Sequence, residues 1–216
     1  MRRALFPLLL LLGCAPWNRP ENVPLQGENA PLVDPAVAGD GEVYIGLAFS
    51  GGGFRATSFA YGMLKELRAA GVETGTPNGL LDQVRLVSGV SGGSVMAAQF
   101  GLYGPEGLKG FRERFLVTDG ETYMVTSAYN PLTVIKGVAG GVNGRDTFGR
   151  YLDEVLFRGA TFADLQRSPI KTWINATDMA NNTPFLFSPE TFDALCSDLS
   201  KVPLSEAVAA SAAIAS

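Results

Sequence analysis

Val84-Arg85-Leu86-Val87-Ser88-Gly89-Val90-Ser91-Gly92-Gly93-Ser94-Val95-Met96-Ala97-Ala98-Gln99-Phe100 is the stretch whose reading decides the fold. Val84 to Val87 is an apolar run suited to a strand, Ser94 to Phe100 favours helix, and the frame G-x-S-x-G lies between them. That frame, between a strand and a helix, is the pattern of a nucleophile elbow. Its glycines, here Gly89 and Gly93, permit a sharp turn that pushes the hydroxyl of Ser91 out of the fold. A serine hydroxyl is a weak nucleophile and needs a neighbouring base. In most serine hydrolases that base is histidine, and this chain of 216 residues contains none. Either Ser91 is not catalytic or another side chain is its base.

Upstream, Val43 to Phe49 is a second short apolar run, suited to a buried strand. Ser50-Gly51-Gly52-Gly53-Phe54-Arg55-Ala56 follows it. Phe59, Met63, Leu67 and Ala70 then recur at helical spacing, with Gly71 as a natural stop. Three glycines between strand and helix leave backbone N–H groups free to point into one space, and the helix dipole favours an anion there. A phosphate cradle and an oxyanion hole both fit, and so does a glycine turn with no ligand. A nucleotide P-loop would need Lys-Ser/Thr after the glycines, where this chain has Phe54-Arg55-Ala56. A dinucleotide site would need a third glycine where Ala56 stands.

Downstream, Lys171 to Thr177 reads as a strand with Thr183 to Phe187 pairing beside it, and Leu204 to Ala213 reads as a helix. The stretch from Phe111 to Gly149 has only weak periodicity. Strands alternating with helices predict an α/β layered fold. The net charge of −4, with no clustered Lys/Arg face, argues against nucleic acid as a partner.

The amino terminus reads as a targeting segment, to be kept out of the fold argument. Arg2 and Arg3 precede the apolar stretch Ala4 to Leu12, which is too short to span a bilayer. Leu11-Leu12-Gly13-Cys14 resembles a bacterial lipobox, which makes Cys14 the expected lipidation site; an ordinary secretory peptide with a chance cysteine is the alternative. Two or more acyl chains would anchor the protein stably where one would not. Residues 1–14 are therefore assigned to the signal peptide and lipobox, 15–42 to a flexible tether rich in Pro, Asn and Gly, and 43–216 to the folded domain. With Cys14 so used, Cys196 has no partner for an intrachain disulfide and is expected to be a small structural residue. The scarcity of Cys and His leaves no zinc-type cluster, and no metal or other cofactor is expected.

A strand, a glycine-rich turn, a helix, a strand and a serine elbow follow in that order, and in this the chain resembles the patatin-like phospholipase family. Gly51, Gly52, Gly53 and Arg55 match the family's glycine-rich oxyanion segment with its basic residue, and Ser91 matches its nucleophile. The likeness runs on through Asn175-Ala176-Thr177-Asp178 and Ala210-Ser211-Ala212-Ala213, from about Val43 to the last residue. It implies a three-layer α/β/α fold with a central, mostly parallel sheet. It also implies hydrolysis of membrane lipid esters by a Ser-Asp dyad, without histidine. In that scheme the N–H groups of Gly52 and Gly53 meet the oxyanion, and Arg55 holds the loop or meets the lipid phosphate.

Two departures are visible. Ala215 stands where the family's Ala-Ser segment runs on to proline, and the family's catalytic Asp-Gly lies downstream of that segment. Asp40-Gly41 and Asp119-Gly120 fall elsewhere, and Asp178 is read as structural. The domain is thus expected to be incomplete at its C-terminus, with the aspartate beyond residue 216. A lipid-anchored protein of the bacterial cell envelope, in the outer membrane if the host is Gram-negative, is the expected setting. Two competing readings are a non-catalytic surface lipoprotein that binds anionic lipid or a partner, and a Ser-Lys amidase. The amidase lacks a lysine three residues after Ser91.

Overall fold

The computed structural model describes residues 22–32, 44–71, 76–118 and 144–213. Both apolar runs around the glycine turns form strands: β1 spans Ile45–Phe49 and β2 spans Val84–Val90. Between them lies helix α1, Gly53–Ala69, with Gly71 beyond its end at φ +85°, the left-handed conformation that closes a helix. Helix α2, Gly92–Tyr103, follows the serine, and β3 spans Lys171–Asp178. The strands β1, β2 and β3 are parallel, with Leu47 opposite Val87, Phe49 opposite Gly89, and Val90 opposite Asn175. Strand β4, Thr183–Leu186, adds antiparallel to β3, so the sheet order is β1-β2-β3-β4. This is a mixed α/β sheet flanked by helices.

The two parallel crossovers step the same way across the sheet, and helix α2 packs against all three parallel strands. Val95, Met96, Ala97, Ala98 and Phe100 are all buried, so α2 has no solvent stripe and its sequence shows no amphipathic period. Helix α1 packs on α2 through Thr57, Ala60 and Leu64. The spacing of Phe59, Met63 and Leu67 announces this helix; Met63 and Leu67 pack partly buried against the core, whereas Phe59 is 77% exposed. Thr57 and Ala60, the inward positions nearest the start of the helix, are small, and the Thr57 hydroxyl reaches the Gly92 carbonyl of α2.

The weakly periodic region resolves in part. Arg112–Leu116 and Asp153–Phe157 are wide helical turns, the latter continuing α3, Gly144–Leu152. Stacking of Phe115 between Phe54 and Tyr151 ties them to α1. Two short helices lacked a periodic signal: α4, Phe162–Leu165, and α5, Pro189–Ala194. Their capping residues do carry one. Thr161 forms a capping box with Asp164, and the Ser188 hydroxyl accepts the Thr191 N–H. Helix α6, Leu204–Ala212, packs on β3 and α2 with Leu204, Ala207 and Val208 fully buried.

Residues 22–32, within the stretch read as a tether, run along α5 and the turn after it. The Leu25 N–H donates to the Cys196 carbonyl, and the Asp198 N–H to that of Val23. Asn29 is buried, with its side chain donating to Asp193 and the Ser197 carbonyl and accepting the Leu199 N–H. Among the described residues, no helix is long and apolar enough to cross a membrane.

Candidate active site

Ser91 stands between the last residue of β2 and the first of α2 at φ 53° and ψ −125°. A side-chain-bearing residue at positive φ is strained and persists only where its surroundings hold it. The strained residue of the turn is thus the serine itself; Gly92 and Gly93 open an ordinary helix. What those glycines supply is proximity. A methyl group on Gly89 would meet the Gly93 carbonyl oxygen and Ser94 Cα, each at 2.6 Å. On Gly92 it would strike the Gly53 carbonyl, and on Gly93 the carbonyl oxygens of Phe49 and Ser50. The start of α2 is therefore seated, backbone to backbone, on the end of β1 and the start of α1.

The glycine turn lies in the same junction. Gly52 (φ 140°) and Gly53 (φ 59°) take left-handed backbone that only glycine adopts readily. Gly51 faces the serine, for a Cβ placed there would lie 3.3 Å from Ser91 Cβ. The N–H groups of Gly51 and Gly52 donate to nothing among the described residues, and that of Gly53 is one of the orphan donors of a helix start. Thr57 fastens the two helices: its buried hydroxyl donates to the Gly92 carbonyl at 2.6 Å.

Arg55 is exposed and makes no ion pair or hydrogen bond among the described residues. It borders an open pocket of about 360 Å³ shared with Gly51, Gly52, Phe59 and Met63. Ser91 is not among the residues that line that pocket, whereas Gly51, which faces Ser91, is.

Three polar residues to which sequence reasoning gave no role hold the elbow. Ser94 donates both its N–H (2.9 Å) and its hydroxyl (2.5 Å) to the Ser91 carbonyl. The amide of Asn175 on β3 donates to the Ser88 hydroxyl and the Gly89 carbonyl, at 2.9 and 3.1 Å. The Ser211 hydroxyl, from the last turn of α6, accepts the Ser91 N–H at 2.9 Å and donates to the Asn175 carbonyl at 2.5 Å. Asn175 and Ser211 both fall in the segments that carried the family resemblance, which was the only signal in the sequence that could have pointed to them.

Among the described residues no group hydrogen-bonds to the Ser91 hydroxyl. Asp178 does not serve it. That carboxylate accepts from the Asn181 side chain (2.6 Å) and from the N–H groups of Ala180 and Asn181. The Asn181 bond, then that of Ala180, holds its carboxyl below the usual range, which suits a turn and weakens a base. Cys196 is exposed and free. Cys14, Asp40 and Asp119 lie outside the described residues.

Comparison with known proteins agrees with this order of elements. A family model described as patatin-like phospholipase matches residues 47–216. No curated protein matches. Among solved structures the chain is similar to one in the heterodimeric ExoU–SpcU complex from the type III secretion system of Pseudomonas aeruginosa, at 20% identity and a TM-score of 0.41. That match covers 86% of this chain and 36% of the other, so the chain spans about a third of that relative's length. With the family model running from Leu47 within β1 through the glycine turn and the serine elbow to residue 216, the chain belongs to the patatin-like phospholipase family.

Proposed function

We propose that the protein is a lipid acyl hydrolase of the phospholipase A or esterase type, with Ser91 as its nucleophile. The observation that carries this reading is the junction itself: a serine at φ 53° packed against a glycine turn whose N–H groups are unspent. In the proposed reaction Ser91 Oγ attacks the ester carbonyl carbon and gives up its proton to an aspartate. The carbonyl oxygen becomes an oxyanion, met by N–H groups of Gly51 to Gly53 and by the positive end of α1. Collapse expels the alcohol, which takes the proton, and leaves an acyl-serine. Water, giving a proton to the same aspartate, then attacks the acyl carbon; the bond to Ser91 Oγ breaks, the fatty acid leaves, and Oγ takes the proton back from the aspartate.

The aspartate is proposed to come from sequence following Ser216. This fits the absence of a partner on Ser91 Oγ among the described residues, and the engagement of Asp178 elsewhere. Arg55, free in an open pocket beside the turn, is proposed to meet the lipid phosphate. Anchoring through acylated Cys14 would hold the enzyme at its membrane substrate in the bacterial cell envelope, in the outer membrane of a Gram-negative host.

The same free hydroxyl favours the second reading, a non-catalytic lipoprotein that binds anionic lipid or a partner. A fluorophosphonate probe on the full-length protein separates the two. Labelling that Ser91→Ala abolishes, together with fatty-acid release from phosphatidylcholine vesicles, supports the hydrolase. An unlabelled but folded protein that still binds vesicles of anionic lipid overturns it in favour of the binder.

A further inference from the structure

The conformation of Ser91 has to be imposed, because a non-glycine residue at φ 53° and ψ −125° relaxes unless its neighbours forbid it. Its carbonyl is held from within the turn by Ser94. Its N–H is held from far away in sequence. The Ser211 hydroxyl accepts it, and that hydroxyl's own proton goes to the Asn175 carbonyl at 2.5 Å. A hydroxyl has one proton and two lone pairs, so donation to Asn175 turns a lone pair toward Ser91 and fixes the rotor. Each bond of such a chain polarises the next. Ser211 is 9% exposed, so water has little access to replace it. The side chain of Asn175 meanwhile grips β2 at Ser88 and Gly89. The elbow is thereby held between β3 and α6.

We propose that Ser211 is a positioning residue: held by the Asn175 carbonyl, it locks the backbone of Ser91 and so aims the nucleophilic hydroxyl. The assignment rests on the reading of Ser91 as nucleophile and adds a consequence to it. With the Ser91 N–H committed to Ser211, the nucleophile's own amide is taken, and the oxyanion is left to the glycine turn and to the N–H of Gly92 at the start of α2. The last turn of α6 is then part of the machinery, although it touches no substrate.

The test uses the full-length protein with Ser211→Ala and Ser211→Thr, which removes and retains the hydroxyl respectively. Ser211→Ala is expected to lower kcat and the fluorophosphonate labelling rate about 10- to 100-fold, since a small misplacement of a reacting group costs on that scale. KM is expected to stay within about threefold, the mark of an interaction that matters in the transition state, and Thr is expected to restore kcat. Amide hydrogen exchange is expected to speed up at Ser91 to Ser94 and not in β4 or α5. Wild-type kcat in Ser211→Ala, with unchanged exchange at the elbow, would overturn the proposal. So would a loss of activity accompanied by faster exchange throughout β4, α5 and α6 and no rescue by Thr, the pattern of a purely structural residue. Should the wild type be inert to the probe, the hydrolase reading fails, and exchange at the elbow still decides whether Ser211 holds it.

Discussion

The junction of β1, α1, β2 and α2 and the outer corner of β4 and α5 are both well packed, by opposite means. At the junction the contacts are made by backbone. Gly89, Gly92 and Gly93 are places where any side chain would strike a carbonyl or a Cα. At the corner they are made by large side chains: Phe187 stacks on Phe162 at 5.9 Å, meets Phe185 edge-on at 5.1 Å and lies 5.9 Å from Phe192. Side chains that bury area give stability but tolerate small shifts. Backbone seated on backbone buries little, yet leaves the serine and the glycine turn only one relative placement. The difference teaches that geometry is concentrated where the chain has removed side chains, and burial where it has added them.

The sharpest way to break that comparison is Gly93→Ala. Helix propensity alone predicts a gain of about 1 kcal/mol. The added methyl meets the carbonyl oxygens of Phe49 and Ser50 and must displace the turn. The expected outcome is a fall in the probe-labelling rate per folded molecule of about 100-fold. Overpacking is expected to cost about 1–3 kcal/mol in stability. Urea titration and labelling kinetics measure the two separately, and an unchanged labelling rate would refute the role given to backbone proximity.

Phe187→Ala tests the other half. The ring is 8% exposed, and its loss is expected to cost about 3–5 kcal/mol on denaturant unfolding. Activity of the molecules that remain folded should not change. A loss of kcat at concentrations of denaturant where the variant is fully folded would show that the corner and the junction are coupled.

Asn29→Ala is expected to have a smaller effect of the same kind. It strips Asp193, the Ser197 carbonyl and the Leu199 N–H of a partner, and a buried group left unpaired costs about 1–3 kcal/mol. Faster hydrogen exchange at residues 196 to 199, with labelling of Ser91 unchanged, is the expected signature.

The smallest expected effect is at Asp178. Its carboxyl is held below the usual value in the folded state, so ionisation there stabilises the fold above the unfolded value of 3.8 and the contribution is lost as pH falls through the folded value. Asp178→Asn should therefore lower Tm slightly at neutral pH and flatten the acid limb of a plot of Tm against pH. A flattening on the alkaline side would contradict the assignment.

Much of the frame was legible because it rests on local chemistry. Of the stretches read as strands, Val43 to Phe49 contains β1, while Val84 to Val87 and Lys171 to Thr177 lie in β2 and β3, and the glycine turns fall between strand and helix. The buried face of α1 was only partly legible, since Met63 and Leu67 pack against the core but Phe59 does not. Hydrophobic periodicity weighs Phe59, Met63 and Leu67 heavily, whereas the buried positions include Thr57 and Ala60, which carry little hydrophobic signal. Nor does periodicity see α5, which is shorter than two full turns and is announced only by its Ser188 cap.

The sequence by itself determined the order of strand, glycine turn, helix, strand and serine elbow, and with it the family. Each of those features is set by residues next to one another, through backbone freedom at glycine and the period of apolar side chains. Only the tertiary structure decided which groups hold the elbow and which glycines serve contact instead of turning. Ser211 lies 120 residues from Ser91, and Asn175 lies 87 from Ser88. A hydrogen bond across such a separation depends on how the sheet and α6 come together, and no local pattern records it.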